Sequence, residues 1–239
     1  MRGVIGLRHD VDTTYFGLRK GLPIVVELER KFNVKSTLFV RAKIIKSNQD
    51  WCYLRRLEKE GWEIGLHLDN TINTPELPSP QEELKFLTEE VGLNIYGVTP
   101  HGGLIGWKGN TTWQIMASLG LKYMEGYGKP PPSKTPVIPT HISFDIGCVR
   151  NYGERLGYED LKKNLNIKLE NKHIATVLTH PEWFVLSVGL PYKNKWIDRL
   201  TKAMLTLAQK RIMRSSYGRF LAEYSGQTEL VKYIDLIKP

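Results

Sequence analysis

Short apolar runs rich in valine and isoleucine alternate along the chain with segments whose apolar residues recur every three or four positions. Buried strands produce the first pattern and amphipathic helices the second, so the alternation predicts a parallel sheet or barrel covered by helices. Strands are expected over residues 4–8, 35–40, 62–67, 94–98, 137–144 and 174–179. A helix is expected over 23–31, opened by Pro23, with Ile24, Val25, Leu28 and Phe32 on one face. Another covers 51–61 and stops at Gly61. Ser79-Pro80-Gln81-Glu82 is a capping box with proline at the first helical position, which starts a helix reaching about Gly92. Further helices are expected over 111–119 and 158–170, giving about seven strand–helix units. Residues 126–139, with Pro130-Pro131-Pro132, cannot lie inside a helix or a central strand and read as a surface excursion. No repeat of roughly 20–50 residues occurs.

The pattern changes after Pro191. Trp196, Leu200, Met204, Ala208 and Ile212 recur at four-residue spacing with Leu207 beside them, which predicts an amphipathic helix. Lys193, Lys195, Arg199, Lys202, Lys210, Arg211, Arg214 and Arg219 face one acid, Asp198, in the same stretch, so most of the chain's net charge of +9 sits there. Two readings stand: a final barrel helix with a solvated basic face, or a surface for an anionic partner or a membrane.

With 239 residues, 41% hydrophobic and 25% charged, the composition fits one globular domain with an appendage. It excludes disordered, collagen-like and disulfide-stapled chains. Cys52 and Cys148 are far apart and form neither a disulfide framework nor a CxxC pair, so both read as reduced. Arg2, Arg8, His9 and Asp10 occupy positions where a signal peptide needs its apolar stretch, and no later window approaches about eighteen apolar residues. The expectation is a cytoplasmic protein with no membrane span. The sequence pI near 9.4 lacks a nucleic-acid motif or interleaved aromatics to support it, so nucleic acid is disfavoured as a partner.

The C-terminal ends of parallel strands converge on one rim, where residues distant in sequence meet. Five predicted strand ends carry polar residues: Arg8-His9-Asp10-Val11-Asp12, His67-Leu68-Asp69, Thr99-Pro100-His101-Gly102-Gly103, residues 141–145, and Thr179-His180-Pro181-Glu182-Trp183. Asp10 and Asp12 repel each other unless a cation, a proton or hydrogen bonds compensate. A metal resolves the conflict if Asp12 binds it and Asp10 acts as general base on water. The competing reading has Asp10 capping a turn or pairing with Arg8. His67 offers a neutral nitrogen ligand from a neighbouring strand, or is a hydrogen-bonded structural histidine. His180 is either a general acid for a leaving nitrogen or a turn residue held by Pro181. His101 sits beside a glycine pair that lets backbone approach a ligand, or serves the turn alone. Asp145 either orients a histidine or ends a strand. His141 and His173 carry no signal beyond their positions.

Taken in order, the Asp-x-Asp strand end, Ser36-Thr37-Leu38-Phe39-Val40, Glu63-Ile64-Gly65-Leu66-His67, a Pro/Gly turn and Leu178-Thr179-His180-Pro181 resemble the polysaccharide deacetylase family, the NodB-type carbohydrate esterases. The likeness spans about residues 1–186. It is closest to a divergent subgroup with an Arg-His-Asp-Val-Asp opening and a Thr-His-Pro-Glu-Trp ending. The resemblance implies an α/β fold, a distorted (β/α)7-type barrel over residues 1–190, and the pattern after Pro191 adds a basic helical extension and tail over 191–239 packed on it. It also implies Asp10 as base, Asp12 and His67 as metal ligands, and His180 as acid. Thr71 stands where the family has a second histidine ligand, so His101, Asp69 and Asp145 are candidates to replace it, in that order. The third motif, Val98-Thr99-Pro100-His101-Gly102, lacks the arginine that orients the family's base.

The resulting expectation is a metal-dependent hydrolase cleaving a non-peptide C–N (amide) bond. It would deacetylate an acetylated sugar or a related small acylamide with a divalent transition metal, zinc first and cobalt, nickel or iron as alternatives. The rival expectation is a catalytically reduced deacetylase-fold protein that binds a glycan or anionic ligand, motivated by Thr71 and the basic C-terminal helix. A third class, another metal-dependent barrel such as a sugar isomerase or phosphodiesterase, needs more strand-end carboxylates than Asp145 and Glu182 supply.

Overall fold

Strand β1 (Val4–Val11) is the spine of a parallel sheet containing β2 (Thr37–Val40), β3 (Glu63–Leu68), β4 (Gly97–Pro100), β5 (Tyr123–Gly126), β6 (Val137–Pro139), β7 (Ile142–Ser143) and β8 (Ile174–Thr179). The computed structural model describes residues 3–102, 106–139, 142–145, 151–185 and 195–237; for 151–156, 172, 195–206 and 208–209 it describes the backbone alone. The spatial order is β6-β5-β4-β3-β2-β1-β8-β7. The sheet curls into an open barrel, and at its seam Thr176 Oγ1 donates to the Pro139 carbonyl over 2.6 Å. A ninth strand, β9 (Glu229–Val231), pairs with Val4–Gly6 of β1. Since β8 occupies one edge of β1 over Val4–His9, β9 and β2 share the other, β9 below and β2 along Arg8–Val11.

The period-two alternation of strands sorts side chains between two environments. Ile5 and Leu7 of β1, Leu38 and Val40 of β2, Ile64 and Leu66 of β3, and Met124 of β5 are buried in outer layers beneath the helices. Those layers include α1 (Leu22–Lys31), α2 (Asn48–Lys59) and α4 (Asn110–Ser118), while α5 (Asn151–Lys172) and α6 (Lys195–Tyr224) pack on the β8 side. Inward positions are filled differently. Phe39, Tyr123 and Tyr233 form an aromatic layer, and the inward glycines make it fit: a Cβ on Gly65 would lie 2.5 Å from the Phe39 ring and one on Gly97 would lie 2.0 Å from Tyr123. The C-terminal turn Tyr233–Ile237 closes the lower mouth, with the Tyr233 amide donating to Thr37 Oγ1 and the Ile234 amide to Glu63.

Several expected boundaries shift. Strand β1 runs to Val11, so Asp10 lies within the strand rather than after it. The single strand expected over 137–144 is two strands, β6 and β7, on opposite edges of the sheet; residues 140–141 are outside the described set. Strand β5 was hidden by its Glu and Gly, and its last residue, Gly126, belongs to the stretch expected as a surface excursion. β6 carries Pro139 where an edge strand tolerates it. The capping box at Ser79 and Glu82 starts α3 (Pro80–Lys85), which continues as a wider π-type turn over Phe86–Glu90. In α6 the buried stripe is Met213, Tyr217, Phe220, Leu221 and Tyr224, further along than expected, and Leu207 is 67% exposed. The side chains of Trp196, Leu200, Met204 and Ala208 lie outside the described set, as do Lys193 and Cys148 in full. Cys52 is a free, exposed thiol. Among the described residues no helix is long and apolar enough to cross a membrane.

Candidate active site

The inward column of β1 is Gly6, Arg8, Asp10, and the chain then delivers Asp12 to the rim. Arg8 is buried against the barrel axis, its guanidinium 5.5 Å from the Phe39 ring centre. Its Nη2 donates to Asp10 Oδ2 at 2.7 Å, and Nη1 donates to Thr99 Oγ1 at 3.1 Å while pairing with Glu125. Thr99 in turn donates to Glu125. Burial opposes the charge on Arg8, but Asp10 and Glu125 more than offset this and hold its pKa above the usual guanidinium range. An arginine therefore does engage Asp10, from two residues upstream on the same strand. The pairing of Arg8 with Asp10, one of the readings open at the sequence level, occurs, and it engages only Oδ2. Asp10 Oδ1 is buried with no hydrogen-bond partner among the described residues.

Above this column Asp12, His67 and His101 converge. Asp12 Oδ1 lies 3.2 Å from His67 Nε2 and 3.7 Å from His101 Nε2, and the two imidazoles meet edge to face with centres 5.1 Å apart. One ligand atom from each lies within 4.8 Å of the other two. Bonds of about 2.0–2.2 Å at tetrahedral angles separate ligand atoms by roughly 3.3–3.6 Å, so this spacing suits a divalent transition metal. The hydrogen bonds agree. His67 Nδ1 is 3.4 Å from the Thr99 carbonyl and His101 Nδ1 is 3.3 Å from Asp69 Oδ1, so each Nδ1 has an acceptor beside it and both Nε2 atoms are turned toward Asp12. Asp12 Oδ1 is a buried oxygen without a hydrogen-bond partner among the described residues. Burial pushes the Asp12 carboxyl up, but His67, His180 and His101 hold it well below the carboxylate range. Burial, then the neighbouring charge of His67, lowers His101 to about 4, which keeps its imidazole neutral, as a ligand must be.

The other candidates for the third ligand are placed behind this group. Asp69 accepts from Arg41 Nε at 2.8 Å and lies 3.1 Å from Lys43 Nζ, so it is neutralised where it stands. Asp145 belongs to His180. Thr71 is buried and donates to the Gly106 carbonyl at 2.5 Å, which braces the segment following His101. Gly106 permits this approach, since a Cβ there would lie 2.2 Å from the His101 carbonyl oxygen. Gly102 has φ +85°, a conformation that favours glycine, and Gly103 is outside the described residues.

His180, at the end of β8, faces the group from the opposite wall, its Nε2 4.0 Å from Asp12 Oδ2. Its Nδ1 lies 3.0 Å from Asp145 Oδ2, and its backbone amide donates to the same oxygen. Burial lowers the imidazole pKa, but Asp145, then Asp10 and Asp12, raise it to about 10. In metal-free protein the His180 ring is expected to titrate near pH 10, and lower in Asp145→Asn, as followed by NMR of the ring protons. A wild-type titration near 6.5 would contradict this electrostatic account. A proton-donating role for His180 is available below that pKa and is lost as pH rises through it.

Together these groups line a cavity of about 320 Å³, with Leu178 and Pro100 as apolar walls and Tyr127 at the edge. Two contributors, Glu182 and Glu125, were given no place in the site at the sequence level, and His9, grouped with it, lies elsewhere. Glu182 accepts from the amides of Asp12 (2.9 Å) and Thr13 (2.7 Å), fixing the backbone that presents Asp12. Glu125 has only its place in the short strand β5 to announce it. His9 points away from the cavity because it alternates with Arg8 and Asp10. It joins Glu29, 2.8 Å away, in a buried network with Tyr217, Ser36 and Trp62. His173 lies before β8 with φ +56°, and His141 is outside the described residues.

No protein-family model matches the sequence, and no curated protein matches it. Solved structures do. Puue allantoinase superposes with a TM-score of 0.64 at 13% identity, covering 98% of this chain and 88% of its own. A CE4 esterase from Streptococcus mutans gives 0.60 at 14% identity, covering 97% and 86%. A CE4 family pseudoenzyme from Bacillus anthracis gives 0.51 at 14% identity, covering 99% and 66%. The chain is built on the barrel fold of the CE4 polysaccharide deacetylases.

Proposed function

We propose that this chain, on its polysaccharide deacetylase fold, is a metal-dependent amide hydrolase that removes an acyl group, acetyl in the first instance, from the nitrogen of a sugar or related small acylamide. The observation that carries this reading is the meeting of Asp12, His67 and His101 within 4.8 Å, with Asp10 and His180 lining the same cavity. Asp12, His67 and His101 would hold a divalent transition metal, zinc before cobalt, nickel or iron. When bound it supplies Lewis acidity to the acyl carbonyl and lowers the pKa of water.

Asp10 takes the proton of the attacking water. Arg8 engages its Oδ2 and leaves Oδ1 as the acceptor. His180, aligned and kept protonated by Asp145, gives its proton to the departing nitrogen. The rise of its pKa suits this task, since a departing amine is a strong base that needs a proton as the C–N bond breaks. Arg41 donates to the Asp12 carbonyl (2.9 Å) and to Asp69, tying the backbone of one ligand to the partner of another.

Protein purified without chelator is expected to carry about one equivalent of transition metal by elemental analysis, and the Asp12→Ala/His67→Ala double variant none. Wild-type protein should then release acetate from N-acetylglucosamine or its oligomers. Wild-type protein that takes up no metal even after incubation with zinc or cobalt would overturn the reading. It would favour instead a binding protein for a glycan or anionic ligand; the structure from Bacillus anthracis shows that a pseudoenzyme occurs on this fold.

A further inference from the structure

The roles assigned above leave one requirement of amide hydrolysis without a side chain. Attack on the carbonyl moves negative charge onto the acyl oxygen, and donors aimed at that charge are among the largest contributors to catalysis. The cavity wall offers two neutral hydroxyl side chains, Tyr127 and Ser143. Ser143 is committed, donating to Asp145 Oδ1 at 3.2 Å.

Tyr127 is the residue immediately after β5, so its side chain starts from the rim on which the other strand ends converge. Its ring is gripped from behind. Trp107 meets it edge to face, with centres 5.8 Å apart, and Trp107 itself packs edge to face on the buried Trp113 at 4.9 Å. Gly126 makes this packing possible, because a Cβ there would lie 2.9 Å from both indoles. The ring therefore has an apolar anchor while the residue lines the cavity beside Asp10. Burial raises the pKa of the phenol; Arg8 opposes this, and Glu125 and Asp10 reinforce it, so the hydroxyl keeps its proton at neutral pH.

We propose that the Tyr127 hydroxyl donates a hydrogen bond to the acyl oxygen of the substrate as negative charge builds there, an inference that rests on the acylamide hydrolysis proposed above. In the first step the water oxygen bonds to the acyl carbon, its proton passes to Asp10, and the π electrons of the carbonyl move to the oxygen facing Tyr127. In the second, those electrons return, the C–N bond breaks, and the nitrogen takes the proton of His180. The products are a free amine and a carboxylic acid; the acid passes its proton back to His180 and leaves as the carboxylate, and Asp10 releases its proton to solvent. Tyr127 keeps its proton throughout.

The test compares wild-type protein with Tyr127→Phe, which preserves the packing against Trp107. Acetate release from N-acetylglucosamine oligomers gives kcat and KM, elemental analysis gives metal content, and calorimetric titration with sodium acetate gives product affinity. The expected result is a kcat about 100-fold lower, with KM within about twofold and metal content unchanged. Acetate should bind about tenfold more weakly, for loss of one hydrogen bond to a charged group. Wild-type turnover with unchanged kcat and acetate affinity in Tyr127→Phe would overturn the donor while leaving the hydrolase reading intact. A wild-type protein that releases no acetate would overturn the hydrolase reading, and the donor with it, even if acetate binds through Tyr127. Failure of both turnover and Tyr127-dependent acetate binding would overturn both.

Discussion

Asp10→Asn is expected to lower kcat for acylamide hydrolysis about 10³-fold while leaving metal content and thermal stability close to those of the wild-type protein. The substitution separates two roles that share one carboxylate. Asparagine keeps an oxygen that can accept from Arg8, whose Nη2 lies 2.7 Å from Asp10 Oδ2, so the buried pairing is weakened rather than abolished. What it cannot do is take a proton from water at neutral pH. Asp10 is also 3.8 Å from His67 Nε2 and is not in the close group formed by Asp12, His67 and His101, so metal retention should persist. Acetate release, elemental analysis and a thermal melt on one preparation read the three quantities together. A kcat within a few-fold of wild type would sink the assignment and leave Asp10 as the partner of Arg8 alone.

The largest effect on stability is expected from Arg8→Leu. Arg8 is 1% exposed and stands between two carboxylates, Asp10 and Glu125, that are themselves 3% and 0% exposed. Removing the cation leaves both acids in a low-dielectric interior without their shared counter-charge, which typically costs about 3–5 kcal/mol. For a chain of this size that corresponds to a melting temperature lowered by roughly 6–20 °C. Urea denaturation supplies the free energy directly. The companion variant Arg8→Leu/Glu125→Gln should recover part of the loss, because one of the two stranded charges is gone. A loss below about 1 kcal/mol for Arg8→Leu would show that the column of polar groups inside the barrel contributes no net stabilisation.

What could be read from the sequence, and what could not, divides along physical lines. Strand ends were legible because a polar residue after an apolar run is conspicuous, and a parallel sheet brings such ends to one rim. Asp10, Asp12, His67, His101 and His180 were all reached in that way, and the structure gathers them at one cavity. Residues inside the barrel were not legible. Glu125 sits in a four-residue strand, Tyr-Met-Glu-Gly, whose composition argues against a strand, and β9 has three residues. Both owe their conformation to pairing with a neighbour already in place rather than to local preference. Glu182 looked like a spare carboxylate until its two backbone contacts at Asp12 and Thr13 were seen. His9 was grouped with the chemistry by its neighbours in sequence. The alternation of the strand puts it on the opposite face, beside Glu29 and Tyr217.

The pairing of β1 with β9 bears on how the chain is made. Residues 4–6 are made well before residues 229–231, yet among the described residues the latter fill one hydrogen-bonding edge of the former and β8 fills the other. A bare strand edge recruits whatever strand it meets, so a nascent or shortened chain carries an open template along its central strand. The same late segment supplies Tyr233 and Leu236, which cover Gly6 and stopper the polar shaft holding Arg8 and Glu63. Water has access to that shaft from below until residues 233–236 are in place. Folding of this barrel is thus governed by contacts distant in sequence, which makes it slow.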